Sequence, residues 1–167
     1  KALTEKGKEE AIRIIETTEL KNDRVLVVYL PDCHESLAGI IAGRIREKYH
    51  RPAFVLTGGE TSAKGSGRSI ESYSMYEELV KCADLMIQFG GHPMAAGLSI
   101  EEKNIEEFRR RLNVNCTLTD EELRPKIVID VPMPVSYITK ELVEQISLLE
   151  PFGKGNTKPV FAQKNLR

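Results

Sequence analysis

Residues 25–57 read VLVVYLPDCHESLAGIIAGRIREKYHRPAFVLT, and this stretch decides the fold. Its first six residues, VLVVYL (25–30), form an unbroken apolar run rich in β-branched side chains and bounded by turn signals. That is the pattern of a strand covered on both faces. From 36 to 50 the period becomes helical, with Leu37, Ile40, Ile41 and Ile45 on one face. Arg51–Pro52 ends the helix, because the residue before a proline is pushed out of the α region. AFVLT (53–57) is then a second short apolar strand. Strand, helix and strand over about 33 residues make a βαβ unit, whose default is right-handed with parallel strands.

On the N-terminal side, residues 3–18 carry Leu3, Ile12 and Ile15 among many charges, a helix with a thin apolar stripe. On the other side, Gly58–Gly59 opens a loop that runs through TSAKGSGRS (61–69). Ser74 and Glu77 form a capping-box pattern that starts a helix carrying Leu79, Val80 and Ala83. FGGHPMAAG (89–97) reads as a turn of small residues, 98–100 as a strand, and 102–113 as a helix with Ile105, Phe108 and Leu112 inward. This order predicts an α/β domain with a mixed, partly parallel sheet and flanking helices. Its expected bounds are 24–113, preceded by a linker helix at 1–23. Residues 114–167 form a polar connector and a strand–helix extension: a strand at 127–131, a break at Pro132–Pro134, a helix at 140–149 and a loop, PFGKGN (151–156).

The chain has 167 residues, 41% hydrophobic and 29% charged, which excludes disordered and fibrous classes. No apolar run approaches the roughly 20 residues that span a bilayer, so no membrane partner is expected. Lys and Arg number 24 against 25 Asp and Glu, a net charge of −1. A nucleic-acid ligand must therefore be met by a local basic patch. Arg44, Arg46, Lys48, Arg51, Lys64 and Arg68 supply one, against Glu47 and Glu60. Cys33, Cys82 and Cys116 are widely spaced and odd in number, which argues against a disulfide framework and for a reducing cytoplasm. The chain starts at Lys1 and stops in a strand-like run at 160–167, so both ends are read as cut from a longer protein.

Three places could carry chemistry. Arg44 lies within about 20° of Leu37 on the helical wheel, inside the apolar face. It must pair with an acid, reach the rim, or face a bound anion. GSGRS (65–69) combines glycines that free backbone amides, the hydroxyls of Ser66 and Ser69, and Arg68, whose fork can grip a phosphate. A Gly/Ser loop is also a common flexible connector. Gly90–Gly91–His92 lets the chain bend and present an imidazole, although a histidine in a turn is often structural. Asp32, His34 and Glu35 lie close in sequence, but a hydrolytic metal centre needs more clustered ligands, and none is expected here.

Taken in order, DCHESLAGIIAGRIREKYHRPAFVL (32–56), GSGRS (65–69) and FGGHPMAAG (89–97) resemble the DHH-associated domain of the RecJ family of single-strand-specific 5′→3′ DNA exonucleases. LLEPFGKGNTKPVF (148–161) resembles the segment leading into that family's OB-fold, here truncated. The resemblance implies a role in DNA repair and recombination, with single-stranded DNA as partner. It places two manganese or magnesium ions in a DHH catalytic domain, and no Asp-His-His string occurs in this chain. This part then closes over the groove and holds the strand, with the catalytic domain and OB-fold as its partners in the same protein. Arg44, Ser66, Gly67, Arg68, Ser69, Gly90, Gly91 and His34 become substrate-binding residues, and His92 meets the phosphate being cleaved. The alternative is a non-catalytic nucleic-acid-binding or structural module of another DHH-family phosphoesterase, an oligoribonuclease or cyclic-dinucleotide phosphodiesterase. Convergence of Arg44, Arg68 and His92 on one open surface favours the first reading.

Overall fold

The computed structural model describes residues 2–153 and 155–164. They form two compact units, 1–125 and 126–167. In the first, helix α1 (Ala2–Thr17) precedes strand β1 (Leu26–Leu30), helix α2 (Glu35–Tyr49) and strand β2 (Ala53–Thr57). Strand β3 (Ala63–Arg68), helix α3 (Met75–Val80), the hairpin of β4 (Met86–His92) and β5 (Ala95–Ile100), and helix α4 (Ile105–Asn115) follow.

β1 and β2 pair in parallel, and β2–β3, β3–β5 and β5–β4 are antiparallel, in the sheet order β1-β2-β3-β5-β4. The expected mixed, partly parallel sheet with flanking helices is present. The VLVVYL run reads as it does because β1 is covered twice. Leu26 and Val28 face one apolar core with Ile41 and Ile45 of α2 and Ile15 of α1. Val25 and Val27 face another with Met75 and Leu79 of α3 and Phe108 and Leu112 of α4. Each such fully buried side chain contributes about 1.5–3 kcal/mol. Phe54 and Phe108 meet edge to face at 5.4 Å in the second core.

α1 is part of this body rather than a tether, since Ala11 and Ile15 are fully buried against β1 and α2. Leu3, expected inward, is exposed. The first unit also continues past 113. Leu118 is buried in its core, and Arg24 donates to the Leu118 carbonyl and, at 2.7 Å, to Asp120. Asn113, read as the start of a connector, is a clip. Its Oδ1 accepts from the amides of Arg24 (2.8 Å) and Val25 (3.0 Å), and its Nδ2 donates to the carbonyls of Val25 (2.9 Å) and Arg109 (3.0 Å).

Two elements differ from expectation. The loop at 61–69 is largely β3, a central strand. Gly65 and Gly67 point into the core, where a Cβ would stand 3.1 Å from Leu56 and 2.5 Å from the Met75 sulfur. The strand is narrow because its neighbours fill the space. FGGHPMAAG is not a turn but the heart of the β4–β5 hairpin, with only Pro93–Met94 between the strands. Ser74 precedes α3 as expected, but its side chain makes no capping bond.

In the second unit, β6 (Val131–Pro132) pairs in parallel with β7 (Phe161–Ala162), and helix α5 (Lys140–Ser147) is capped by Thr139, whose hydroxyl accepts from the Leu142 amide at 3.2 Å. The strand expected at 127–131 is reduced to β6, with Ile127–Ile129 exposed and unpaired. Asn156 holds the PFGKGN loop by donating to the carbonyls of Leu149 (2.8 Å) and Pro151 (3.0 Å). The strand-like run expected at 160–167 is described only to 164; residues 165–167 lie outside the described residues.

Candidate nucleic-acid interface

Side chains alternate across a strand, and register partners in antiparallel strands share a face. Lys64, Ser66 and Arg68 of β3 therefore share a face with Ser99, Gly97 and Ala95 of β5 and with Gln88, Gly90 and His92 of β4. On this side α1 and α2 cover β1 and β2, while Gln88, Gly90, His92 and Gly97 are exposed. A step results. The uncovered strands make a floor, and the flank of α2 makes a wall beside β3. A cleft of about 340 Å³ marks the angle between them, lined by Glu35, Ser36, Lys64, Ser66 and Ser99 among others.

Two rows cross the floor. Arg68, Ala95 and His92 are in register, which puts the Arg68 and His92 backbones about 10 Å apart on one face. Ser66, Gly97 and Gly90 form the next row. A Cβ at Gly90 would meet nothing within 4 Å, and one at Gly97 only the Gly65 carbonyl at 3.8 Å. Packing does not require glycine at either place. Their effect is a flat, bare backbone between the two strands' flanking polar side chains.

The Arg68 guanidinium lies against the wall. Its Nη1 donates to Ser66 Oγ at 3.1 Å and to the Gly67 carbonyl at 2.7 Å. A Cβ on Gly39 of α2 would stand 2.7 Å from its Nη2, so that glycine makes the guanidinium's room. Among the described residues no carboxylate pairs with Arg68. At the cleft end, Lys64 pairs with Glu35 at 2.7 Å, which lowers the Glu35 carboxyl and raises the Lys64 amine from their ordinary values. No acidic residue stands on the floor itself.

His92 Nδ1 accepts from the Met94 amide at 3.3 Å. In the neutral ring the proton then sits on Nε2, so the imidazole offers solvent a donor. The turn that carries it is tied down by the Ser69 amide on the Met94 carbonyl (2.9 Å) and the Met75 amide on the Pro93 carbonyl (3.0 Å). Gly91 is required here: its φ is +152°, and a Cβ would fall 2.4 Å from the Ala95 carbonyl oxygen.

Several expected site residues lie elsewhere. Arg44 is exposed and pairs with Glu47 at 3.0 Å. The buried face of α2 is Ala38, Ile41, Ala42 and Ile45, rotated from the expected stripe, and Ile40 is 52% exposed. Arg44 thus sits outside the apolar face and off the flank that borders β3. Gly67 points into the core. Ser69 is buried, and its hydroxyl donates to the Tyr73 carbonyl at 2.5 Å. His34 caps α2, its Nδ1 accepting from the Ser36 amide at 3.2 Å, and lines a different cleft with α1. Gln88 and Ser99 were missed, and Lys64 was read only as part of the basic patch. The period-2 alternation in AKGSGR and AAGLS, with polar or small residues at every second place, is the signal that marks them.

The floor and wall can hold an anionic backbone through Arg68, Ser66, Lys64 and the His92 donor. Among the described residues, no three His, Cys, Asp or Glu come together to hold a metal ion. Burial raises the thiols of Cys33, Cys82 and Cys116 above their ordinary values, which disfavours their thiolates. No helix among the described residues is long and apolar enough to cross a membrane.

Residues 22–117 match the family described as the DHHA1 domain, and residues 129–167 that described as the RecJ OB domain. The chain is 36% identical over 161 residues to the single-stranded-DNA-specific exonuclease RecJ of Bacillus subtilis, covering 94% of this chain and 20% of that protein. To the Escherichia coli exonuclease of the same name it is 35% identical over 162 residues, covering 91% of this chain and 28% of the relative. The crystal structure of Thermus thermophilus RecJ in complex with Mn2+ superposes with a TM-score of 0.77 at 27% identity, over 97% of this chain and 24% of that one. The chain thus spans between a fifth and a third of the length of these relatives.

Proposed function

The chain belongs to the DHHA1 domain family, and on that premise we propose that it is the substrate-gripping part of a RecJ-type, metal-dependent 5′→3′ exonuclease acting on single-stranded DNA in repair and recombination. The observation that carries this reading is the uncovered sheet face on which Arg68 and His92 share a row across a glycine floor. Arg68 and Ser66 hold a backbone phosphate, the guanidinium through its fork. His92 donates from Nε2 to the phosphate undergoing cleavage. Gly90 and Gly97 let the strand rest on the sheet. The floor carries no aromatic side chain, so it grips the backbone rather than stacking bases, and the grip is independent of sequence.

The hydrolytic centre, with its manganese or magnesium ions, belongs to a DHH domain outside this chain, and the cytoplasm is the setting that the cysteines suit. By itself the chain binds single strands weakly and does not cut them. Three to five phosphates neutralised correspond to a log-affinity slope against log salt of about −2 to −3.5, at about −0.7 each.

The test is steady-state hydrolysis of a labelled single strand by the full-length enzyme, with thermal melts alongside. Arg68→Ala should lower kcat/KM about 10- to 150-fold, the loss of a charge-assisted contact of roughly 1.5–3 kcal/mol. Arg68→Lys should stay impaired, since it restores charge but not the fork. His92→Ala should lower kcat more than it raises KM. Wild-type kinetics in folded Arg68→Ala and His92→Ala enzymes would refute the reading. A purely structural role would instead appear as lost stability with unchanged turnover.

A further inference from the structure

We propose that Arg46, on the wall of the groove, is a second phosphate-gripping residue beside Arg68; this rests on the reading of the groove as a nucleic-acid site. α2 runs alongside β3 in the same direction. Glu35 at its start pairs with Lys64 at the start of β3, and Gly39 abuts Ser66 and Arg68. Arg46 lies seven residues beyond Gly39, on the same ridge to within about 20° and about 10 Å further along the axis. Helical side chains lean toward the N-terminus, so its arm leans back toward the row of Arg68 and His92. Gly43, between them on this flank, adds no side chain to block the approach.

Its bonding is incomplete. Arg46 Nε is buried without a hydrogen-bond partner. Its ion pair is a long one, 3.7 Å from Nη2 to Glu47, a carboxylate that Arg44 holds at 3.0 Å. A guanidinium has five donors in a fixed fork and no acceptor. The covered Nε–H cannot itself reach a ligand, but the side chain is 36% exposed and its pair to Glu47 is long, so the Nη donors are open to an external oxygen. A phosphate supplies oxygens at the spacing of that fork. Arg46 would thus hold the strand one step along the wall from Arg68, away from the cleft at Lys64.

The experiment measures fluorescence anisotropy of a labelled oligothymidine against the 167-residue chain, at several salt concentrations. Arg46→Ala should weaken binding about 3- to 10-fold, a charge-assisted contact discounted for exposure. The salt slope should become shallower by about 0.7. Arg46→Lys should keep the slope, because a point charge still neutralises a phosphate. Arg110→Ala, which removes the same charge from α4 on the opposite side of the sheet, should leave the slope unchanged. Arg46→Gln reads the same way as Arg46→Ala should the alanine variant fail to fold. A wild-type slope in folded Arg46→Ala or Arg46→Gln overturns the inference, as does a slope lost equally in Arg46→Lys. Should Arg68→Ala keep the wild-type slope as well, the groove reading itself falls; should only the Arg46 variants keep it, Arg46 alone is refuted.

Discussion

Replacing Gly90 by valine should move stability and function in opposite directions. Glycine inside a strand costs roughly 0.5–1 kcal/mol relative to alanine, and a β-branched residue suits a strand better still. At Gly90 nothing lies within 4 Å of the added Cβ, so no clash offsets that gain. Stability should rise by about 0.5–1 kcal/mol, or roughly 1–4 °C in Tm. Function should suffer. The valine stands on the floor in the row of Ser66, beside the row of Arg68 and His92. Carbon atoms pack no closer than about 3.5–4.0 Å. A strand resting there is lifted beyond the roughly 3.2 Å reach of a hydrogen bond from those side chains. Two charge-assisted contacts at about 1.5 kcal/mol each amount to about 3 kcal/mol, or roughly 100-fold in kcat/KM. Melts and single-strand hydrolysis by the full-length Gly90→Val enzyme measure both effects. A Tm lowered by several degrees refutes the open-space argument, and a kcat/KM within about 2-fold of wild type refutes the floor as the contact surface.

Gly39→Ala should raise Tm, through about 1 kcal/mol of helix propensity, yet lower kcat/KM about 10-fold, because its methyl takes the place of the Arg68 guanidinium; intact kinetics would speak against that placement. Asn113→Ala should cost about 2–4 kcal/mol in denaturant unfolding, since it strips partners from the Arg24 and Val25 amides and the Val25 carbonyl, and a loss below about 1 kcal/mol contradicts the clip. Hydrogen bonds from Arg110 and Arg111 hold the Glu107 carboxyl down at about 2, against an ordinary 4.5. A depressed carboxyl stabilises the fold above its unfolded value and loses that contribution as pH falls through its folded one. Stability should therefore fall less steeply between about pH 4.5 and 2 in Glu107→Gln than in wild type, and identical acid limbs would exclude the assignment.

Legibility in the sequence followed the range of the interactions that form each element. β1, α2 and β2 were readable because an apolar run and a 3.6-residue period are local properties. The face of α2 was not. Leu37, Ile40, Ile41 and Ile45 fit one stripe on a wheel, yet burial selects Ala38, Ile41, Ala42 and Ile45, because small alanines let the helix approach the sheet. That rotation removes Arg44 from the apolar face and leaves the Gly39–Arg46 ridge beside β3. Ser66, Arg68, Gly90 and His92 were identified from composition and resemblance, but Ser69 and Gly67, drawn from the same string, serve the core. Proximity in sequence could not separate them, because neighbours on a strand point to opposite faces.

By itself, then, the sequence determined the βαβ start, the α/β class, the family resemblance and the residue types able to hold a phosphate. Only the tertiary structure decided that GSGRS is a central strand and which of its side chains are available. A glycine-rich strand carries no apolar signature. It is held by hydrogen bonds to β2 and β5, and its glycines are filled by Phe54, Leu56, Met75 and Leu98 from other elements. Arg68 and His92 come into one row only because β5 lies between β3 and β4, an ordering that long-range pairing and the packing of α1 and α2 on the neighbouring strands impose.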